Sequence, residues 1–122
     1  IAREAALKLK EIANLHAEAF SGAEFLHGPV ALVGARYPIL ALMPTDASGA
    51  GMRALVRDLR DKGAAVFAAA SDGALPVLAP DHPETDAVCL IQAFYAMVVG
   101  LAARLGIDPD RPRHLQKVTR TR

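Results

Sequence analysis

The sequence predicts an α/β fold, a parallel sheet covered by helices on both faces. Two observations carry this. Short apolar runs rich in Ala, Val, Ile and Leu alternate with stretches of helical spacing, the order expected of βα crossovers. Aromatic residues make up only 5% of the chain and tryptophan is absent, which suits Ala/Leu/Val-packed helices on a sheet better than an aromatic-rich β-sandwich. At 122 residues the chain is about one ordinary domain, long enough to bury a core unaided.

Each element has its own warrant. Arg3 to about Phe20 reads as one helix. Leu9, Ile12, Ala13, His16, Ala17 and Phe20 share one arc of its wheel, and Arg3, Lys10, Glu11, Asn14 and Glu18 lie opposite. Ser21 and Gly22 begin its exit. "YPILALMP" (Tyr37 to Pro44) is an apolar run bounded by prolines, a buried strand. "GMRALVRDLRDKG" has helical spacing and a glycine stop at Gly63. "AAVFAAA" is the next strand and "LPVLAP" a weaker third. A long helix begins near Thr85 and closes at Gly106. Because the chain opens on a helix, only two or three strands are available, whereas a doubly wound sheet normally opens with a strand whose C-terminal loop binds phosphate. The expectation is an incomplete domain, the back part of something longer, with 1–106 as a partial subdomain and 107–122 as a tail.

Several function classes are disfavoured. Net charge is +1, acids and bases are interspersed, and basic residues cluster only from Arg111 onward. No aromatic stacking platform or reading helix accompanies that tail, so nucleic acid is not the expected partner. The most apolar stretch, Ala87 to Leu105, is interrupted by Gln92, Tyr95 and Arg104, short of the ~20 residues of a spanning helix. A membrane is therefore not expected either. Charges begin at Arg3 and Glu4, unlike a signal peptide. A single cysteine, Cys89, can make no internal disulfide, and its apolar neighbours suggest an inert buried thiol. Cytoplasm is the expected setting.

Metal binding has little support: His16, His27, His82 and His114 have no close histidine partner, and no CxxC occurs. Nucleotide-cradling glycine motifs are absent, so no organic cofactor is expected either. "DHPETD" (Asp81 to Asp86) reads as a loop followed by an N-capped helix.

Lys8 and Glu11, three apart on the first helix, can meet as a solvated ion pair or as part of a site. His16, on the apolar arc, reads as a hydrogen-bonded core histidine, Glu18 as a surface acid, and Glu24 as a brace for the loop. His27 falls at a break, beside a glycine that would let the backbone approach closely and a proline that stiffens it. Loops on rigid elements carry a disproportionate share of sites, and histidine titrates near neutrality. A loop histidine paired to a carbonyl fits this position equally well. Lys117, near the terminus, is by itself a solvated lysine.

"ALKLKEIANLHAEAFSGAEFLHGPVAL" (Ala6 to Leu32), with its E-x4-H-A-E…E-x2-H-G-P pattern, and "DPDRPRHLQKV" far downstream change that balance. Together they resemble the second half of a sugar isomerase (SIS) domain, in particular the isomerase portion of glucosamine–fructose-6-phosphate aminotransferases and related glutaminase-free isomerase/deaminases. The resemblance implies a three-layer αβα, flavodoxin-like fold and a sugar-phosphate substrate. It gives Glu11 the role of shuttling a proton between C1 and C2 of the open-chain sugar phosphate, with Lys8 supporting it. It makes His27 the ring-opening histidine, supplied in trans within a homodimer, and Lys117 the lysine that can form an imine with a ketose carbonyl. The residue types suit that chemistry: enolisation needs one carboxylate within reach of two adjacent carbons, and a lysine amine can activate a carbonyl. As continuous helix the stretch from Glu11 to His27 would span ~24 Å, which also favours a neighbour's site for His27.

The implied activity is interconversion of glucosamine 6-phosphate and fructose 6-phosphate. Two further readings are the isomerase half of a glutamine-dependent aminotransferase and a sugar-phosphate-sensing module of a transcription regulator. The Ser/Thr-rich phosphate loops of the family have no counterpart here, since Ser21, Ser48 and Ser71 are scattered.

Overall fold

A computed structural model describes residues 1–79 and 81–115. Helix α1 spans Ala2–Ala13 and ends on Asn14, whose left-handed backbone (φ 52°) turns the chain while the Leu15 N–H closes on the Leu9 carbonyl at 3.0 Å. The helix therefore stops well short of the expected Phe20. Asparagine tolerates this conformation, and a wheel pattern that continues past it does not extend the helix. An irregular segment follows, to which Lys10 Nζ donates at the Ala17 carbonyl (3.2 Å). A short helix α2 (Gly22–Leu26) and a 3₁₀ turn (Pro29–Leu32) come next, neither foreseen as a separate element.

The remainder matches the expected alternation: β1 (Pro38–Leu42), α3 (Gly49–Asp61), β2 (Ala65–Ala70), β3 (Leu75–Pro76) and α4 (Pro83–Arg104). Gly63 and Gly106, at φ 91° and 70°, take the left-handed turns that follow α3 and α4. The third strand is reduced to two residues.

The sheet is parallel in the order β1-β2-β3, with Leu40 opposite Phe67 and Ala69 opposite Leu75. Alternation along β1 divides the core between two faces. Leu40 packs toward Ala5, Ala13, Phe94 and Val98 of α1 and α4. Ala41 packs with Met43, Ala68 and Val56 of α3. The result is three layers: α1 and α4, the sheet, then α3. By length and composition α4 is apolar enough to cross a membrane, so Gln92, Tyr95 and Arg104 do not interrupt it as expected. In this fold its stripe of Leu90, Phe94, Val98 and Ala102 is buried. Cys89 is half-buried, not fully enclosed.

Candidate functional site

Glu4, Lys8 and Glu11 fall at i, i+4 and i+7 on α1, so their side chains form one row. Lys8 Nζ donates to Glu11 Oε2 at 2.6 Å and lies 3.7 Å from Glu4 Oε1. The Lys8 and Glu11 side chains are 29% and 27% exposed, which sets them apart from a freely solvated surface pair. Hydrogen bonding to Glu11 holds the Lys8 ammonium above its ordinary pKa, against the opposing effect of burial, with the Glu11 and Glu4 charges adding to the rise. The row is met from α4: the Tyr95 hydroxyl donates to Glu4 Oε1 at 2.8 Å. That bond raises the Tyr95 pKa, so the phenol stays protonated.

His27 is exposed and caps the C-terminus of α2, its N–H bonded to the Glu24 carbonyl at 3.1 Å. The helix that carries it is pinned at its start by a capping box. Ser21 Oγ accepts from the Glu24 N–H at 3.2 Å, and the Glu24 carboxylate accepts from the Ser21 N–H at 2.8 Å. The bond from the Ser21 N–H, and after it hydrogen bonding from the Ser21 side chain, hold the Glu24 carboxyl below its ordinary pKa. Phe20 and Phe25, with ring centroids 6.0 Å apart, tie the preceding segment to α2. Gly28 is not crowded: a side chain there would meet nothing within 4 Å, and its φ of 168° is ordinary extended backbone. The close approach expected of that glycine has no counterpart in this chain.

Lys8 and Glu11 are thus brought together, while among the described residues no hydrogen bond or ion pair joins His27 to either. Lys117 lies outside the described residues. His16 is corrected outright: α1 ends before it, and it is exposed in the irregular segment instead of serving the core. Glu18 is exposed, as expected of a surface acid. Among the described residues no three His, Cys, Asp or Glu side chains are grouped to share a metal.

Three participants were not found from sequence. Glu4 had a legible signal, its i,i+4 spacing to Lys8. Tyr95 had none, being 91 positions from Glu4. Asp86 is the third: 6% exposed, it accepts from the Thr45 N–H (2.7 Å) and hydroxyl (3.0 Å), fixing the loop after β1 to the first turn of α4. It borders a cavity of about 480 Å³, also lined by Arg53, Arg57 and Ser71, at the C-terminal ends of β1 and β2. Lys8, Glu11 and His27 do not line that cavity, so the Lys8–Glu11 row and not this hollow defines the candidate site.

Residues 1–97 match the SIS domain family. The chain belongs to that family. Over 96% of its length this SIS domain is 37% identical to an isomerizing glutamine–fructose-6-phosphate aminotransferase from Tropheryma whipplei strain Twist. The chain spans about a fifth (21%) of that curated relative. Among solved structures, a protein of Silicibacter pomeroyi DSS-3, provisionally described as a phosphosugar isomerase, superposes on 89% of the SIS domain with a TM-score of 0.78 and 41% identity. Glucosamine-6-phosphate deaminase from Thermotoga maritima covers 94% with a TM-score of 0.72 and 28% identity. This chain corresponds to 35% of each of those two structures.

Proposed function

We propose that this SIS domain supplies the proton-transfer residues of a phosphosugar isomerase acting between glucosamine 6-phosphate and fructose 6-phosphate: proton transfer turns the amino sugar into its C2 imine, and water hydrolyses that imine to fructose 6-phosphate and ammonia. The observation that carries the reading is the 2.6 Å contact between Lys8 Nζ and Glu11 Oε2 on a half-buried row of α1. Names of the relatives, an aminotransferase that isomerises and a glucosamine-6-phosphate deaminase, support the substrate class.

Glu11 takes a proton from one of the two adjacent sugar carbons and returns it to the other, so a single carboxylate serves both half-steps. Lys8, held as the ammonium, keeps Glu11 oriented and offsets negative charge as the enediol forms. His27 moves the proton that opens the sugar ring, reaching a neighbouring subunit's site. Lys117 condenses through its amine with a ketose carbonyl, releasing water and leaving an imine. The similarity to the Tropheryma whipplei aminotransferase favours one second reading, the isomerase half of a glutamine-dependent synthase.

Solvent exchange tests the reading. In D₂O the full-length protein should incorporate deuterium at C1 of fructose 6-phosphate, whose C2 is the ketone carbon and carries no hydrogen. Glu11→Gln, which keeps shape and removes the base, should slow incorporation ~10²–10⁴-fold while the sugar phosphate still binds. Undiminished exchange in that variant would reduce Glu11 to a structural partner of Lys8.

A further inference from the structure

Tyr95, Glu4, Lys8 and Glu11 form a chain across the α1–α4 contact. Tyr95 Oη donates to Glu4 Oε1 at 2.8 Å, that same oxygen lies 3.7 Å from Lys8 Nζ, and Lys8 Nζ donates to Glu11 Oε2 at 2.6 Å. One ammonium therefore stands between two carboxylates and is divided unequally. Its separation from Glu11 is that of a strong charge-assisted hydrogen bond, whereas 3.7 Å from Glu4 is beyond hydrogen-bond reach. Nothing in the α1 sequence dictates this preference, since i,i+3 and i,i+4 pairs are equally placed to meet.

The difference comes from α4. By donating to Glu4 Oε1, the phenol occupies the very oxygen nearest Lys8 and leaves the ammonium to Glu11. Tyr95 is well placed to do so stably: the preceding residue, Phe94, is wholly buried in the core, and the two rings lie 5.9 Å apart at a tilt. Tyr95 itself is 39% exposed, so its ring is not required to fill the core. The charged groups acting on its hydroxyl are Glu4, Lys8 and Glu11, all from α1.

We propose that Tyr95 is a positioning residue for the proton-transfer pair, anchoring Glu4 so that Lys8 is committed to Glu11. The proposal rests on the reading of Glu11 as the base. If the anchor is lost, Glu4 competes for Lys8, and Glu11 is left less firmly held as the free carboxylate.

The test compares Tyr95→Phe, Tyr95→Gln and Glu11→Gln in the full-length protein, following deuterium exchange with fructose 6-phosphate across pH. Tyr95→Phe keeps the ring and removes only the donor. It should lower kcat about 5-fold, the factor set by one ordinary hydrogen bond, with KM little changed. The acid limb of its kcat–pH profile should move to higher pH. Tyr95→Gln restores an N–H donor and should recover part of the loss. In a Glu4→Gln background, Tyr95→Phe should have no further effect. If Tyr95→Phe keeps the wild-type kcat and pH profile while Glu11→Gln is inactive, the positioning role is wrong and the base assignment stands. A lower melting temperature with both readouts unchanged would equally overturn it. If Glu11→Gln exchanges at the wild-type rate, the base assignment fails and the positioning role falls with it.

Discussion

Asp86 is the buried charged residue of the described part of the chain, and its two bonds to Thr45 join elements 41 positions apart. At the first turn of α4 the carboxylate also faces the favourable end of the helix dipole. Asp86→Ala leaves the Thr45 N–H without its acceptor, so unfolding in urea should show a loss of ~1–3 kcal/mol. Asp86→Asn, which keeps an acceptor oxygen, should lose less. A change within ~0.5 kcal/mol for Asp86→Ala, the range of an ordinary surface substitution, would contradict this account. At the residue scale the sequence was legible only over short distances. Helical spacing pairs Lys8 with Glu11, and the position of Glu24 marks it as a brace. Spacing does not pair Tyr95 with Glu4 or Asp86 with Thr45, because their pairing depends on how α4 packs across α1 and the sheet.

Helix α2 shows the same limit at the scale of elements. Ser21-x-x-Glu24 is a capping-box sequence, yet the Ala-rich spacing before it reads as one helix running through to Phe20. Asn14 decides the matter by entering the left-handed region, which the wheel cannot register. Strands β1 and β2 were recoverable because apolar runs between turn residues leave few alternatives. The two-residue β3 is barely distinguishable from loop. The capping box makes α2 sensitive to pH. Glu24 has a depressed pKa in the fold, so its contribution is present at neutral pH and is lost as pH falls through the folded value, below the ordinary glutamate range. Helical Cα chemical shifts over residues 23–26 should weaken in that window. Ser21→Ala should weaken them already at neutral pH, with a local cost of ~0.5–2 kcal/mol. Shifts that ignore both changes would mean that packing alone, including the Phe20–Phe25 contact, holds α2.

At the scale of the whole molecule, two small cores on opposite faces of a three-stranded sheet position α1 against α4, and that contact brings Tyr95 to the Glu4–Lys8–Glu11 row. His27 belongs to a different element, exposed at the end of α2. Because α1 ends at Ala13, the ~24 Å helical spacing no longer argues that His27 must act elsewhere. The shared-site proposal stands instead on the SIS resemblance and on the absence, among the described residues, of any bond from His27 to Lys8 or Glu11. A two-fold dimer would let each chain lend its histidine to the other. Mixing inactive Glu11→Gln and His27→Ala subunits of the full-length protein, with subunit exchange verified, tests the claim that these two residues make one site across chains. Each mixed dimer should contain one site with both native residues, so activity should return on exchange. Fully exchanged heterodimers that remain inactive would contradict it.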